Sequence, residues 1–435
     1  MLAGVAWVAR PHGPGSRPAL VMHPRSRHRQ YLDYRDLAKR QPSLEPFVFT
    51  NSYGGASIDY TDQRALRELT RCLLRELYGV VDWGIPDGYL CPPVPQRADY
   101  IHGIADLLRT PGTSLRFAPA ALLQPAAEAD AARGPGVRGL DVGTGASCIY
   151  CLLGAREYGW SFLGSDIDQD ALTSARAIVK QNGLSARIKL RRQPDPDRVF
   201  AGVLRDGETI AFCVCNPPFH ESLEHAQWAA EAKWQRLGRS AQGTEKNYQG
   251  KPSELCCEGG EVGFVKRMAK ESADPDLQKR CIWFSAMLSR ESSIEPVKTR
   301  LGELGARRRC WELRHGRMTK WVVAWTFLGR TEREAKISAL AQGQEAESLG
   351  KALPRAEPSE PAAERAAKRC IGPAAPEARA GDAAGAPRAA EEAPPEAEPP
   401  ELGAKRAAKR RRGLAAPEAR TGDAAGTPRA DRLTD

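Results

Sequence analysis

A short polar turn after an apolar run contains the residues that are best suited to chemistry. Asn216, Pro217, Pro218 and Phe219 directly follow residues 210–215, whose apolar character predicts a buried strand. The Asn216 amide oxygen and the Pro217 carbonyl can accept the two hydrogens of a planar amine and so return electron density to its delocalised nitrogen. The prolines fix the backbone, and Phe219 offers a face on which a base can stack. The turn favours methylation of such a nitrogen, but an ordinary proline turn is equally compatible with these residues alone.

A glycine-containing loop upstream favours the chemical interpretation. An apolar stretch runs through Asp141 into a loop that contains Gly143, Gly145 and Ser147. Glycines at these positions let a ligand approach the backbone beside the amino terminus of the following helix. The D-x-G-x-G spacing differs from the G-x-G-x-x-G pattern of dinucleotide-binding proteins and suits the methionine end of S-adenosylmethionine. The loop therefore predicts a site for this cofactor, with Asp141, Gly143, Gly145 and Ser147 as contacts.

A carboxylate after the next predicted strand supports the same cofactor. Asp166 lies 23 positions after Gly143, close to the roughly 20 residues at which nucleotide-binding units place the acid that binds ribose hydroxyls. A helix follows, with Asp168 as its N-cap and Gly183 at its end, so Asp168 is the better candidate for a purely capping role. The order of strands, loop, acid and helices predicts an α/β fold of the Rossmann type.

Composition restricts the class of protein. The chain has 435 residues, a net charge of +10 and a pI near 9.1, which favours a polyanionic partner. No apolar run approaches the roughly 18 residues of a membrane span, so we expect no membrane association. The 11 cysteines show no spacing of a disulfide or metal framework. We therefore expect reduced thiols and no metal.

Changes in composition divide the chain into five segments. We predict a disordered extension, a basic arm with a helical module, an insertion rich in Ala and Pro, the catalytic domain, and a disordered low-complexity tail. Their bounds are 1–21, 22–110, 111–136, 137–330 and 331–435. Residues 1–21 also have the acid-free character of a transit peptide, but we favour an upstream extension before Met22.

Basic residues outside the predicted catalytic centre indicate contacts with nucleic acid. We expect Arg25, Arg27 and Arg29 of the arm to bind RNA phosphates. The polar stretch 220–257 predicts a loop that grips the substrate, although a disordered loop is as compatible with its sequence.

The tail contains a duplication and a basic cluster. Residues 374–389 recur as residues 415–430, 41 positions later. The cluster Lys405–Arg412 favours a nuclear import signal, with a nucleic-acid patch or a solvated charge cluster as alternatives. We therefore expect contact with the import machinery and a location in the nucleus, with the cytoplasm as a second compartment.

Several motifs together resemble one enzyme family. The matching passages are residues 100–102 after Arg97, 141–150, 215–219, 258–261 and 264–267, with Trp283, Met318, Trp321 and residues 324–325. Over roughly residues 22–330 the chain resembles the methyltransferase-like protein 16 group and the related bacterial RlmF ribosomal RNA adenine methyltransferases.

The resemblance implies a fold, a reaction and site residues. It implies a seven-stranded, Rossmann-like class I methyltransferase that uses S-adenosylmethionine to methylate N6 of adenosine in structured RNA, namely U6 small nuclear RNA and messenger RNA hairpins. It assigns catalysis to residues 216–219 and a fork to the cofactor carboxylate to Arg97. The other cofactor contacts that it implies are Gly143, Ser147, Asp166 and Asn216. Asp166 stands where the family usually has Glu.

Two other functions remain compatible with the residues. The proline turn also suits the planar amide nitrogen of a protein glutamine, although the basic arm argues against a protein substrate. The tail does not resemble the family's folded RNA-binding region, so an RNA-binding scaffold with weak or no activity is the second alternative.

Overall fold

The computed structural model describes residues 22–30, 32–109, 132–222, 224, 250–315 and 318–350, with only the backbone described for the last ten. The extension 1–21, most of the insertion and everything beyond residue 350 lie outside the described residues, and so do Lys405–Arg412 and the duplication. None of the helices in these ranges is long and apolar enough to cross a membrane.

The basic arm leads into two helices and a short hairpin. These elements are α1 (Tyr34–Arg40), β1 (Val48–Thr50), β2 (Ala56–Ile58) and α2 (Gln63–Tyr78). Asp62 caps α2 by accepting a hydrogen bond from the Arg64 backbone, and Gly79 ends the helix with a φ of +63°. Leu69 and Leu73 are buried along one face of this amphipathic helix.

Helix α3 (Val94–Leu107) belongs to the main core rather than to a separate N-terminal module. It begins before Arg97, and Pro95 suits its first turn. The Tyr100 hydroxyl shares a 2.8 Å hydrogen bond with Ser285 of the sheet. Arg97 is therefore held against the sheet by the first turn of a buried helix.

Seven strands form one mixed sheet. In chain order they are β3 (Arg138–Val142), β4 (Ser161–Asp166), β5 (Ile188–Arg192), β6 (Ile210–Cys215), β7 (Cys281–Leu288), β8 (Arg307–His315) and β9 (Met318–Thr326). Their spatial order is β5-β4-β3-β6-β7-β9-β8. The first five are parallel, and β9 is antiparallel to both of its neighbours. The predicted Rossmann-like α/β fold is confirmed.

Helices cover both faces of the sheet and create two cores. The further helices are α4 (Ile149–Tyr158), α5 (Gln169–Gln181), α6 (Pro252–Leu255), α7 (Gly260–Ser272), α8 (Pro275–Arg280), α9 (Ile294–Glu303) and α10 (Arg330–Gly350). Apolar side chains of α3, α4 and α5 form one core with the sheet, and those of α7, α8 and α9 form the other. Strand β6 is buried along its whole length between them.

Two elements differ from the prediction. The sequence does not predict β8, because its first four residues are exposed and three of them are arginines. Helix α10 occupies positions where composition predicts the start of a disordered tail. Its Ile337 is buried and its Leu340 packs on the same core, so tertiary packing stabilises a helix whose composition alone does not favour one.

A close approach at Gly139 leads to a prediction about stability. A Cβ atom there would lie 2.5 Å from Phe212 and 2.8 Å from Phe162, and both rings are buried. We expect Gly139→Ala to lower the free energy of unfolding by about 1–3 kcal/mol in urea titrations, because the core would be overpacked. Gly136→Ala is the control, since a Cβ there meets no atom within 4 Å. Equal losses in the two variants would contradict this account.

Candidate active site

The register of three neighbouring strands brings the predicted residues together. Val142, the last residue of β3, pairs with Ser165 of β4 on one side and with Cys215 of β6 on the other. The glycine loop, Asp166 and Asn216 each follow or end one of these strands. They therefore meet at the carboxyl edge of the sheet, where open α/β sheets bind ligands.

A cavity of about 550 Å³ opens at this edge. Helix α3, the segment 253–258 and the start of β9 complete its wall. The predicted site residues that line it are Arg97, Gly143, Gly145, Ser147, Asp166, Asn216, Pro217, Pro218 and Phe219. One cavity thus joins the two halves of the predicted site.

Asp141 does not line this cavity. Its side chain is fully buried behind the glycine loop, where Oδ2 accepts hydrogen bonds from Thr144 Oγ1 at 2.7 Å and Cys151 Sγ at 3.5 Å. Burial raises the pKa of Asp141 to about 7. Asp141 is therefore not placed to contact the cofactor directly, in contrast to the prediction. Its hydrogen bonds to Thr144 and Cys151 instead hold the glycine loop in position.

The loop conformation depends on its glycines. Gly143 and Gly145 have φ values of +69° and +62°, a region that favours glycine. The Gly145 amide donates a 2.8 Å hydrogen bond to Asp166 Oδ2, which links the loop to the end of β4. Trp83 Nε1 donates to the Ser147 carbonyl at 3.1 Å and so supports the loop at its other end.

Asp166 faces the cavity with both of its oxygens partly engaged. Oδ2 accepts from Gly145, and Oδ1 accepts from the Asp168 amide at 2.9 Å. Burial raises its pKa. Asp168 in turn caps α5 by accepting from the amides of Asp170 and Ala171, so the predicted N-cap is confirmed. Each Asp166 oxygen retains a lone pair for a hydroxyl group, as a ribose diol requires.

Arg97 is a buried cation that forms no salt bridge with a carboxylate of the described residues, although Asp141 is close enough to interact with its charge. It is 8% exposed. Its Nη1 donates to Met287 Sδ at 3.0 Å, and its guanidinium lies 5.7 Å from the centre of the Tyr150 ring. A buried charge is costly unless an anion pairs with it. The cavity therefore contains a site for an anionic group such as a carboxylate.

The proline turn presents an acceptor with no protein donor. Asn216 Oδ1 is buried and forms no hydrogen bond with any described residue. An unsatisfied buried acceptor costs free energy, so it indicates a donor that arrives with a ligand. Lys320 Nζ lies 5.0 Å from the centre of the Phe219 ring, and Lys320 and Met318 of β9 line the same part of the cavity.

Part of the predicted gripping loop does reach the site. Four residues of this stretch, Ser253, Glu254, Cys256 and Cys257, line the cavity. Lys251 beside them pairs with Asp168 at 3.1 Å and with Asp170 at 3.2 Å. The sequence gives no indication that Glu254 and Lys320 belong to the site. They come from distant parts of the chain, and no spacing relates them to the glycine loop or the proline turn.

The arginines of the basic arm have different environments. Arg25 pairs with Asp106 at 2.7 Å and donates to Tyr158 Oη and to the His102 carbonyl at 3.0 Å. It therefore fastens the arm to α3, and its Nε and Nη2 donors are used within the protein. Arg27 pairs with Glu157 but is half exposed, and Arg29 lies on the surface.

The residues in this cavity fit S-adenosylmethionine. Arg97 supplies a cation for its carboxylate, Asp166 supplies acceptors for its ribose, and the glycine loop lets it approach the backbone closely. The buried acceptor of Asn216 then marks the place of the group to be methylated. Fold and site together define a class I methyltransferase that uses S-adenosylmethionine.

Comparison with known proteins specifies the family. A protein-family model described as "RNA methyltransferase" matches residues 17–329, so the chain belongs to this family. It is 41% identical over 329 residues to the ribosomal RNA large subunit methyltransferase F of Pseudomonas savastanoi. The aligned region covers 75% of this chain and 94% of that protein. The protein of the same name from Aeromonas salmonicida is 41% identical over 309 residues, or 71% and 91% of the two chains.

Solved structures show the same relationship. The catalytic domain of human METTL16 in complex with MAT2A 3′UTR hairpin 6 is 34% identical, with a TM-score of 0.57 over 71% of this chain and 98% of that chain. The N-terminal domain of human METTL16 in complex with SAH is 32% identical, with a TM-score of 0.54 over 71% and 99%. The predicted family and cofactor are confirmed.

The predicted nuclear location is wrong. The related proteins at about 41% identity are bacterial ribosomal RNA methyltransferases, and bacteria have no nucleus. This finding implies the cytoplasm, which the sequence analysis names as the second compartment. It also removes the basis for interpreting Lys405–Arg412 as an import signal.

The environment of Arg97 predicts that its replacement weakens cofactor binding but does not lower the stability of the ligand-free protein. We expect Arg97→Met to weaken S-adenosylmethionine binding at least about tenfold in calorimetry, because a charge-assisted hydrogen bond is lost. The melting temperature of the ligand-free protein should not fall, since a buried charge without an ion-paired carboxylate is removed. Arg25→Met, which breaks a buried pair, should lower that temperature. A purely structural Arg97 would show the reverse pattern, with a lower melting temperature and unchanged binding.

Proposed function

We propose that the protein transfers a methyl group from S-adenosylmethionine to N6 of an adenosine in structured RNA. The observation that carries this proposal is the buried, unsatisfied Asn216 Oδ1 at the end of a cavity that fits the cofactor. It deepens the family assignment, which defines RNA methylation but not the atom that is methylated.

The chemistry follows from the acceptors of the turn. An exocyclic adenine amine is a weak nucleophile because its lone pair is shared with the ring. Asn216 Oδ1 and the Pro217 carbonyl accept its two hydrogens and draw the lone pair back onto nitrogen. S-adenosylmethionine supplies an electrophilic methyl group. The surplus proton leaves to solvent after transfer.

The cavity walls around the proline turn suit a base that is flipped out of its stack. Phe219 provides an aromatic face beside the two acceptors. Proteins that recognise single RNA bases bind them in loops and bulges, where unstacking the base costs the least free energy. We therefore place the target adenosine in an unpaired position of a folded RNA.

The nature of the related proteins favours one class of RNA. The relatives are named ribosomal RNA large subunit methyltransferases, and one structural neighbour is bound to an RNA hairpin. We therefore favour a hairpin of large-subunit ribosomal RNA over the U6 RNA that the family resemblance implies. The exposed Arg27 and Arg29 and the cavity residue Lys320 are the proposed phosphate contacts, so RNA affinity should fall steeply with salt.

The acceptor role of Asn216 can be tested by removing its amide. We expect Asn216→Ala to lower the single-turnover methylation rate at least about a hundredfold, because one of two acceptors for the amine is lost. The melting temperature should be unchanged, since Oδ1 has no partner in the described protein. RNA affinity should fall by no more than about tenfold, far less than the rate, because only one contact to the base is lost. A parallel loss of RNA binding and methylation would contradict a catalytic role. Asn51→Ala is the control for the rate, which it should leave unchanged, because Asn51 lies in the β1–β2 turn and does not line the cavity.

The identity of the methylated atom decides among the functions. Labelled S-adenosylmethionine is incubated with total ribosomal RNA and, separately, with ribosomal protein, and the labelled RNA is digested to nucleosides. N6-methyladenosine as the labelled nucleoside supports the proposal, and another methylated nucleoside overturns it. Label in protein alone supports the glutamine methyltransferase. No binding of S-adenosylmethionine in calorimetry would leave only the RNA-binding scaffold.

A further inference from the structure

Glu254 belongs to the wall of the cofactor cavity and has no place in the reaction described so far. It lies in the short helix α6 and lines the cavity. Its Oε1 atom is 3.6 Å from the position that a Cβ atom of Gly145 would occupy. The carboxylate therefore lies against the glycine loop, beside the Gly145 amide that binds Asp166.

The two oxygens of Glu254 have different roles. Oε2 accepts hydrogen bonds from the amides of Leu90 and Lys251, each at 3.2 Å, and these bonds hold the segment in place. Oε1 forms no hydrogen bond with a residue of the described ranges. One oxygen is therefore structural, and the other is available to a ligand in the cavity.

The charges around Glu254 are mainly negative. Asp166 and Asp168 face it, and burial together with these two carboxylates raises its pKa to about 7. The side chain of Lys251, whose backbone amide binds Glu254, is engaged elsewhere. Its ammonium pairs with Asp168 and Asp170 and lies 4.4 Å from the centre of the Tyr89 ring. A cationic ligand group would relieve this repulsion.

We propose that Glu254 binds a cationic group at the methionine end of S-adenosylmethionine, just as Arg97 supplies a cation for its carboxylate. The cofactor carries two such groups, an ammonium and a sulfonium. The free oxygen, the excess of negative charge and the contact with the glycine loop all complement a cation. The inference rests on the cofactor alone, so it can hold even if the methylated atom is not adenine N6.

The test separates the charge of Glu254 from its structural bonds. Glu254→Gln keeps an oxygen that can accept from Leu90 and Lys251 but removes the charge. Calorimetry on the full chain without RNA should show affinity for S-adenosylmethionine reduced at least about tenfold. The melting temperature of the ligand-free protein should be unchanged. Unchanged affinity would overturn the proposal.

A second ligand and a second variant identify the group that Glu254 binds and test whether the contact is direct. S-adenosylhomocysteine has the ammonium but not the sulfonium. A larger loss for S-adenosylmethionine supports the proposal with the sulfonium as the group bound, and an equal loss supports it with the ammonium. Glu258→Gln neutralises another carboxylate of the cavity wall. An equal loss in that variant would overturn a direct contact, because the general field of the cavity would then explain the effect.

The pH dependence of the affinity for S-adenosylmethionine tests the role of Glu254 independently. A cation binds the ionised carboxylate, and the pKa of Glu254 in the free protein is about 7. Affinity should therefore be high at about pH 8 and fall toward about pH 6, as the group becomes protonated. Asp141, Asp166, Asp168, Lys251 and Tyr89 titrate in both proteins, so Glu254→Gln should lose only the part due to Glu254. Identical pH profiles would overturn the proposal.

Discussion

The constraint on which this site depends is the burial of two polar groups whose best partners are not supplied by the described protein: an acceptor without a donor and a cation without an ion-paired carboxylate. Asn216 Oδ1 is buried without a donor, and Arg97 is buried without an ion-paired carboxylate, among the residues that the structure describes. Each group lowers the stability of the ligand-free protein. The surrounding core must be stable enough to hold both in place until a ligand satisfies them.

The sheet supplies that stability and sets the geometry. Strand β6 is buried along its length, and β3 lies between β4 and β6. The three strands therefore end at one edge in a fixed register, which places the cofactor loop, the ribose carboxylate and the proline turn around one cavity. The antiparallel strand β9 then brings Lys320 to the same edge from a distant part of the chain.

The sequence predicts those parts of the site that lie on local patterns. Gly143, Gly145 and Asp166 belong to one continuous βαβ unit, so their spacing is visible without a structure. Asn216 follows an apolar strand and is visible for the same reason. Glu254 and Lys320 are not predictable in this way, because only tertiary packing brings them to the cavity.

Other differences also have physical causes. Asp141 belongs to the glycine-loop motif, but the sequence does not show that its side chain points behind the loop toward Thr144 and Cys151. The charge of Arg25 suggests a phosphate contact, whereas the fold uses it to bind Asp106. Strand β8 and helix α10 are stabilised by long-range packing that composition does not reveal.

The central claim is that Asn216 receives an amine hydrogen of the target base. A double-mutant cycle measures this contact directly. It combines Asn216→Ala in the protein with replacement of the target adenine in the RNA by purine, a base that lacks the amine. Binding to the protein saturated with S-adenosylhomocysteine is compared for the wild type and Asn216→Ala. The account predicts that loss of the amine weakens binding at least about fivefold in the wild type and clearly less in the variant, where only the Pro217 carbonyl can still accept a hydrogen of the amine. Equal losses in the two proteins would contradict it.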